Sequence, residues 1–254
     1  MVRSHNEDSI TADAGIGLAV LADGMGGYNA GEVASGIAAA LISSEVKKAL
    51  ADKEPENFDS GAAEALIAEH AVRANSAIYQ ASQSQPQYSG MGTTLVVALW
   101  HDNQIAVGHV GDSRLYRMRG GTLEQVTRDH SLLQEQIDSG MITKEQARFS
   151  QNKNLVTRAV GIDPEVEAEV HSYPAQPGDV YLLCSDGLSD MVTDEDIQLT
   201  LASLQANLPL AAQQLVQQAN DNGGRDNISV ILVRVVKDFP AHAGWLEKLK
   251  AWFR

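Results

Sequence analysis

Three apolar runs in this sequence end on an aspartate beside a glycine: AVLADG at 19–24, AVGHVGD at 106–112 and VYLLCSDG at 180–187. Two further acidic clusters stand apart from them, Glu7 with Asp8 in HNEDS and Asp226 in GGRDN. An aspartate at the end of a strand is held on a rigid mount and can be aimed. A lone Asp-Gly is ordinarily a turn whose carboxylate caps a nearby backbone N–H. Five acidic clusters brought to one end of a fold would repel one another unless cations sat among them. Ligands that are all oxygen, with the Gly24 carbonyl in reach, suit Mg²⁺ or Mn²⁺ and suit zinc or copper poorly. None of the seven histidines forms an HxxxH pattern and the one cysteine allows no CxxC, which argues against an imidazole- or thiolate-bound zinc site.

The elements that must present these carboxylates follow from periodicity. Runs rich in β-branched and apolar residues predict strands at about 16–22, 93–100, 104–110, 113–118, 165–173, 179–185 and 227–236. From Thr93 to Gln125 they succeed one another through short breaks at His101–Asn103 and Gly120–Gly121, as antiparallel strands do and βαβ units do not. Helical spacing occupies about 31–50, 60–82, 193–204 and 208–220, in two sequential pairs. Two antiparallel sheets packed face to face, with a helix pair on each outer face, bury every apolar stripe; the expected fold class is thus α+β in four layers. The polar segment 132–153 interrupts the strands and reads as a flap of two short helices that tunes substrate choice.

With 254 residues the chain can bury a full core as one domain. At a formal charge of −14 it lacks the clustered Lys and Arg that bind a phosphate backbone, so no nucleic-acid partner is expected. A phosphate ligand would need positive charge supplied locally, by a metal or a placed arginine. No run approaches the roughly 18 apolar residues that span a bilayer, and no basic segment leads into an apolar one at the start, so membrane association is not expected and the cytoplasm is the default location. Cys184, inside VYLLCSD, reads as a small buried side chain.

In order along the chain, RSHNEDS (3–9), DGMGG (23–27), GMGTTLVVAL (90–99), VGHVGDSRLY (107–116), TRDHS (127–131), TRAVG (157–161), SDGLSD (185–190) and GGRDNISVILV (223–233) resemble the metal-dependent protein phosphatases, the type 2C serine/threonine family, in its compact bacterial branch. That resemblance implies a β-sandwich flanked by helices and two Mn²⁺ or Mg²⁺ ions bridged by Asp23, with Asp186 and Asp226 completing the ligand set. It further implies that Glu7 and Asp8 act directly or through water, that Gly24 gives a carbonyl, that Asp112 helps hold a weaker third ion, and that Arg3 grips phosphate. A guanidinium suits that last task because it binds two phosphate oxygens at once.

The activity implied is hydrolysis of phosphoserine and phosphothreonine in other proteins, opposite a protein kinase, by a monomer that forms no phosphoenzyme. Two cations about 3.5–4 Å apart activate a shared water for in-line attack. Met25 stands where animal and plant relatives carry a histidine, so a metal-bound water is the expected acid, and His5 and His109 read as ordinary hydrogen-bonded histidines. Relatives carry a further strand before the arginine, which here is residue 3. The glycines of GMGG and GMG lack the Lys-Ser/Thr of a P-loop, and Ser113 lacks the flanking glycines of a nucleophile elbow. Residues 1–238 read as the catalytic domain and 239–254 as an amphipathic tail that docks on it. Two rivals share every ligand or most of them: a binding module without turnover, and a hydrolase of small phosphoesters.

Overall fold

The computed structural model describes residues 5–27, 30–51, 58–147 and 155–241, with the side chains of Lys144 and Glu145 left aside. Strand β1 (Asp8–Asp13) pairs with β2 (Leu18–Met25), and two long helices follow, α1 (Ala30–Ala51) and α2 (Ser60–Ser84). The two-residue β3 (Gly92–Thr93) leads into β4 (Leu95–His101) and β5 (Gln104–Val110), then β6 (Arg114–Arg119) and β7 (Thr122–Gln125). Short helices α3 (Leu132–Asp138) and α4 (Lys144–Ala147) precede β8 (Glu169–Pro174) and β9 (Val180–Cys184). The chain continues through α5 (Asp186–Ser189), α6 (Asp194–Leu204), α7 (Leu208–Asp221) and β10 (Val230–Arg234).

One sheet runs β1-β2-β4-β5-β8 with β3 on the end of β2, the other β10-β9-β6-β7, and every pairing is antiparallel. The four layers expected from the sequence are present. They follow from the two-residue period of a strand, which sends alternate side chains to opposite faces. In β2, Leu18, Val20 and Ala22 face α1 and α2, whereas Ala19 and Leu21 face the other sheet. In β9, Val180, Leu182 and Cys184 pack under α6 and α7, whereas Tyr181 and Leu183 point inward. Three apolar layers result, and Cys184 is a buried free thiol within one of them.

One local expectation changes. β1 was not foreseen as a strand, because DSITAD is short and half exposed, yet its full register against β2 sets Asp8 opposite Asp23. The run from Thr93 to Gln125 forms successive antiparallel strands as expected, divided between the two sheets. At Gly111, whose φ of 104° suits glycine, the chain leaves β5 in one sheet and enters β6 in the other. The strand predicted over 165–173 is Glu169–Pro174, and that over 227–236 is Val230–Arg234. Within 132–153, α3 and α4 fit two short helices; residues 148–153 lie outside the described set, as does most of the predicted tail. Beyond β10, Phe239 N–H and Ala241 N–H donate to Asn103 and Asp102 in the turn between β4 and β5. No helix among the described residues is long and apolar enough to cross a membrane.

Candidate active site

The carboxylates of β1, β2, the β5–β6 turn, the start of α5 and the loop before β10 gather at one end of the sandwich. Asp23 is pushed well above the usual carboxylate range, first by loss of solvent and then by the charges of Asp8, Asp186 and Asp112. Burial raises Asp186 to about 8, with Asp112, Asp190, Asp226 and Asp8 adding repulsion. Burial likewise raises Asp112 to about 6, with help from Asp129 and Asp190. Asp8 is raised by burial and by Asp226, against the pull of its hydrogen bonds. Five of the acidic residues named from the sequence therefore sense one another directly. Glu7 sits beside them, its backbone carbonyl accepting from Gly24 N–H at 3.1 Å. Arg3 lies outside the described residues.

The cluster is held by neutral hydrogen bonds that the sequence did not disclose. Ser185 Oγ donates to Asp8 Oδ2 at 3.0 Å and accepts from Ser229 N–H at 3.0 Å, joining three segments. Asp23 is fixed through its backbone: its N–H donates to Thr94 Oγ1, and its carbonyl accepts from Thr94 N–H and Thr93 Oγ1. The Asn227 side chain clamps the approach to β1, accepting from Glu7 N–H at 2.9 Å and donating to the His5 carbonyl at 2.9 Å. Only the β-branched and amide residues of GMGTT and RDNIS hinted at these roles; their partners lie up to 222 positions away.

Two crossings fix the backbone. A Cβ on Gly24 would stand 2.1 Å from the Gly31 carbonyl oxygen and 2.5 Å from that of Glu7. A Cβ on Gly187 would stand 1.9 Å from the Asn227 carbonyl oxygen, so the turns carrying Asp186 and Asp226 touch through bare backbone.

The donor set fits hard divalent cations. It consists of carboxylates and carbonyls, and Asp8 Oδ1 is buried with no hydrogen-bond partner among the described residues. Arg114, a cation close by, is committed to Asp129 through bonds of 2.7–3.1 Å. Beside Asp112 and Asp186 lies a cavity of about 370 Å³, walled on one side by Leu133 and Ile137 of α3.

A pH dependence follows from these shifts. A carboxyl whose folded pKa exceeds its unfolded value favours the fold while protonated, and that contribution is lost as pH rises through the folded value. For Asp112 and Asp186 the window runs from about 4 to about 8. The melting midpoint of metal-free protein is expected to fall across that window, and the upward shift given by Mn²⁺ to grow across it. Scanning calorimetry at several pH values with chelator or Mn²⁺ measures both, and a flat metal-free profile would contradict the shared site.

The model of the family described as protein phosphatase 2C matches residues 2–229. Serine/threonine phosphatase stp of Listeria welshimeri is 37% identical over 235 residues, covering 91% of each chain. The crystal structure of the Mycobacterium tuberculosis serine/threonine phosphatase PstP/Ppp superposes with a TM-score of 0.83 at 40% identity, covering 93% of this chain and 94% of that one. A second, of the PstP catalytic domain in complex with two manganese ions, gives 0.81 at 38% identity over the same shares. With its fold, its ordered motifs and its gathered carboxylates, the chain belongs to the protein phosphatase 2C family and is a serine/threonine phosphatase of the bacterial type.

Proposed function

We propose that this phosphatase hydrolyses phosphoserine and phosphothreonine in other proteins at a site where Asp23, Asp186 and Asp226, with the Gly24 carbonyl, hold two Mn²⁺ or Mg²⁺ ions. The observation that carries the reading is the mutual repulsion of Asp8, Asp23, Asp112, Asp186 and Asp226 at one end of the sandwich, beside an Asp8 oxygen that has no hydrogen-bond partner among the described residues. Manganese in the PstP catalytic domain supports it. When bound, two such ions lower the pKa of water toward neutrality and draw charge from a phosphoryl group.

The chain's own residues do the rest. Asp23 lies at the centre of the cluster, where it can serve both cations. Glu7 and Asp8 complete the site directly or through water, and Ser185 keeps Asp8 turned toward it. Asp112 attends a weaker third ion. Arg3 pairs with two phosphate oxygens, which lets a chain at −14 receive a dianion. The cavity under α3 admits residues flanking the phosphorylated one. Residues 1–238 act as the catalytic domain and 239–254 as an appended amphipathic segment; the enzyme works as a cytoplasmic monomer opposite a serine/threonine kinase.

The test is turnover of a phosphothreonine peptide and of p-nitrophenyl phosphate with Mn²⁺, with chelator, and in Asp186→Asn. Expected are Mn²⁺-dependent turnover of the peptide and a loss of at least about 10²-fold in the variant, as for removal of one group that stabilises transition-state charge. Full activity in chelator would sink the metal assignment. Turnover of the small ester with none of the peptide would favour a small-molecule hydrolase.

A further inference from the structure

The fold builds a second cluster of ligand type, next to the turn that carries Asp112, from residues whose spacing in the sequence showed nothing. His109 on β5 and Glu169 on β8 are cross-strand partners, and His130, from the segment before α3, stacks on His109 with ring centroids 4.6 Å apart. One ligand atom from each of the three lies within 4.8 Å of the other two. Both imidazoles are buried, and burial keeps both below the usual histidine pKa, so they are neutral and able to bind metal.

The outer contacts of His109 and Glu169 are those of metal ligands, and His130 becomes one by changing tautomer. His109 Nε2–H donates to the Arg128 carbonyl at 2.7 Å, which fixes the tautomer and leaves Nδ1 with its lone pair. His171 Nε2 lies 3.2 Å from Glu169 Oε1, which leaves Oε2 to face His130 Nε2 at 3.5 Å. From these contacts we infer that His109 Nδ1, His130 Nε2 and Glu169 Oε2 form a site for one borderline divalent cation, Zn²⁺, separate from the oxygen-only centre and able to act on it. Two imidazoles and one carboxylate suit zinc and leave a fourth position open. Tetrahedral zinc needs its ligands about 3.3 Å apart, as bonds of about 2.0 Å dictate, so the cluster must contract. Glu169, 38% exposed, can supply that movement.

The coupling lies in His130. Its Nδ1 now accepts from Gly111 N–H at 3.2 Å, while its backbone N–H donates to the Gly111 carbonyl at 2.9 Å. In the neutral ring the hydrogen is therefore on Nε2. Zinc at Nε2 moves that hydrogen to Nδ1 with no net proton released, and two N–H donors then confront each other at Gly111. The turn must give way, and the next residue is Asp112.

The test is calorimetric titration of Zn²⁺ into the full chain saturated with Mn²⁺, alongside ¹H–¹⁵N spectra. Expected are one Zn²⁺ per chain and a displaced Gly111 amide resonance. Glu169→Gln and His109→Gln should each weaken Zn²⁺ binding by at least about tenfold, in the range lost when a ligand's support is removed. Glu169→Gln, on a half-exposed side chain, should leave Mn²⁺-dependent turnover unchanged in the absence of zinc. Zinc binding abolished by saturating Mn²⁺ would place the ion among the aspartates and overturn the inference, as would unaltered Zn²⁺ affinity in both variants. Zinc binding with an unmoved Gly111 amide would overturn the coupling.

Discussion

Asp23→Asn is expected to lose at least about 10³-fold of Mn²⁺-dependent turnover and, in the same protein, to melt a few degrees higher than the parent when both are metal-free. The two effects share one cause. Asp23 is desolvated and faces Asp8, Asp186 and Asp112, so its ionisation is opposed from every side. An amide of the same shape removes that repulsion while keeping the backbone bonds to Thr93 and Thr94, which do not involve the side chain. The charge that burdens the empty fold is also what two cations need between them, and losing several kcal/mol of metal-centred stabilisation amounts to about three decades in rate. Parallel kinetics and melting curves with chelator and with Mn²⁺ read both halves. Loss of activity without the gain in metal-free stability would mean that Asp23 is not repelled by its neighbours.

Gly187→Ala is the substitution expected to do the most damage to the fold itself. The added methyl would lie 1.9 Å from the Asn227 carbonyl oxygen, a backbone atom that cannot swing aside. Either the turn carrying Asp186 or the turn carrying Asp226 must move, and Asn227 also clamps His5 and Glu7. A clash of this kind belongs with the overpacking losses of roughly 1–3 kcal/mol or more, so the melting midpoint should drop by about 5–10 °C in a chain of this length. Mn²⁺ should recover little of it, because the ligand segments no longer meet. Gly27→Ala serves as the control: its Cβ would have nothing within 4 Å among the described residues, and its midpoint should stay within about 2 °C of the parent. Equal melting of the two variants would show that the crossing at Gly187 is looser than the distances say.

Much of this molecule was legible in its linear order. The layers follow from alternation: Leu18, Val20 and Ala22 against Ala19 and Leu21 require a strand buried on both faces, and the helical stripes require something to cover. The aspartates at the ends of β2 and β9 stood out because a strand running into Asp-Gly is a local pattern, complete within a few residues. β1 was missed for the converse reason: DSITAD is half exposed, so its apolar signal is weak, and its pairing with β2 is what makes it a strand.

Chemistry by residue type and position along the chain was thus determined by the sequence alone: which carboxylates stand at strand ends, that they are oxygen donors, and that no nearby pair of histidines has ligand spacing. Which groups face one another was decided only by tertiary structure. Ser185 between Asp8 and Ser229, Asn227 across His5 and Glu7, and His130 stacked on His109 with Glu169 beside them are contacts between segments far apart in the chain. The physical reason is that a hydrogen bond or a ligand contact is set by distance and direction in space, and those arise only once the two sheets have closed on their common core.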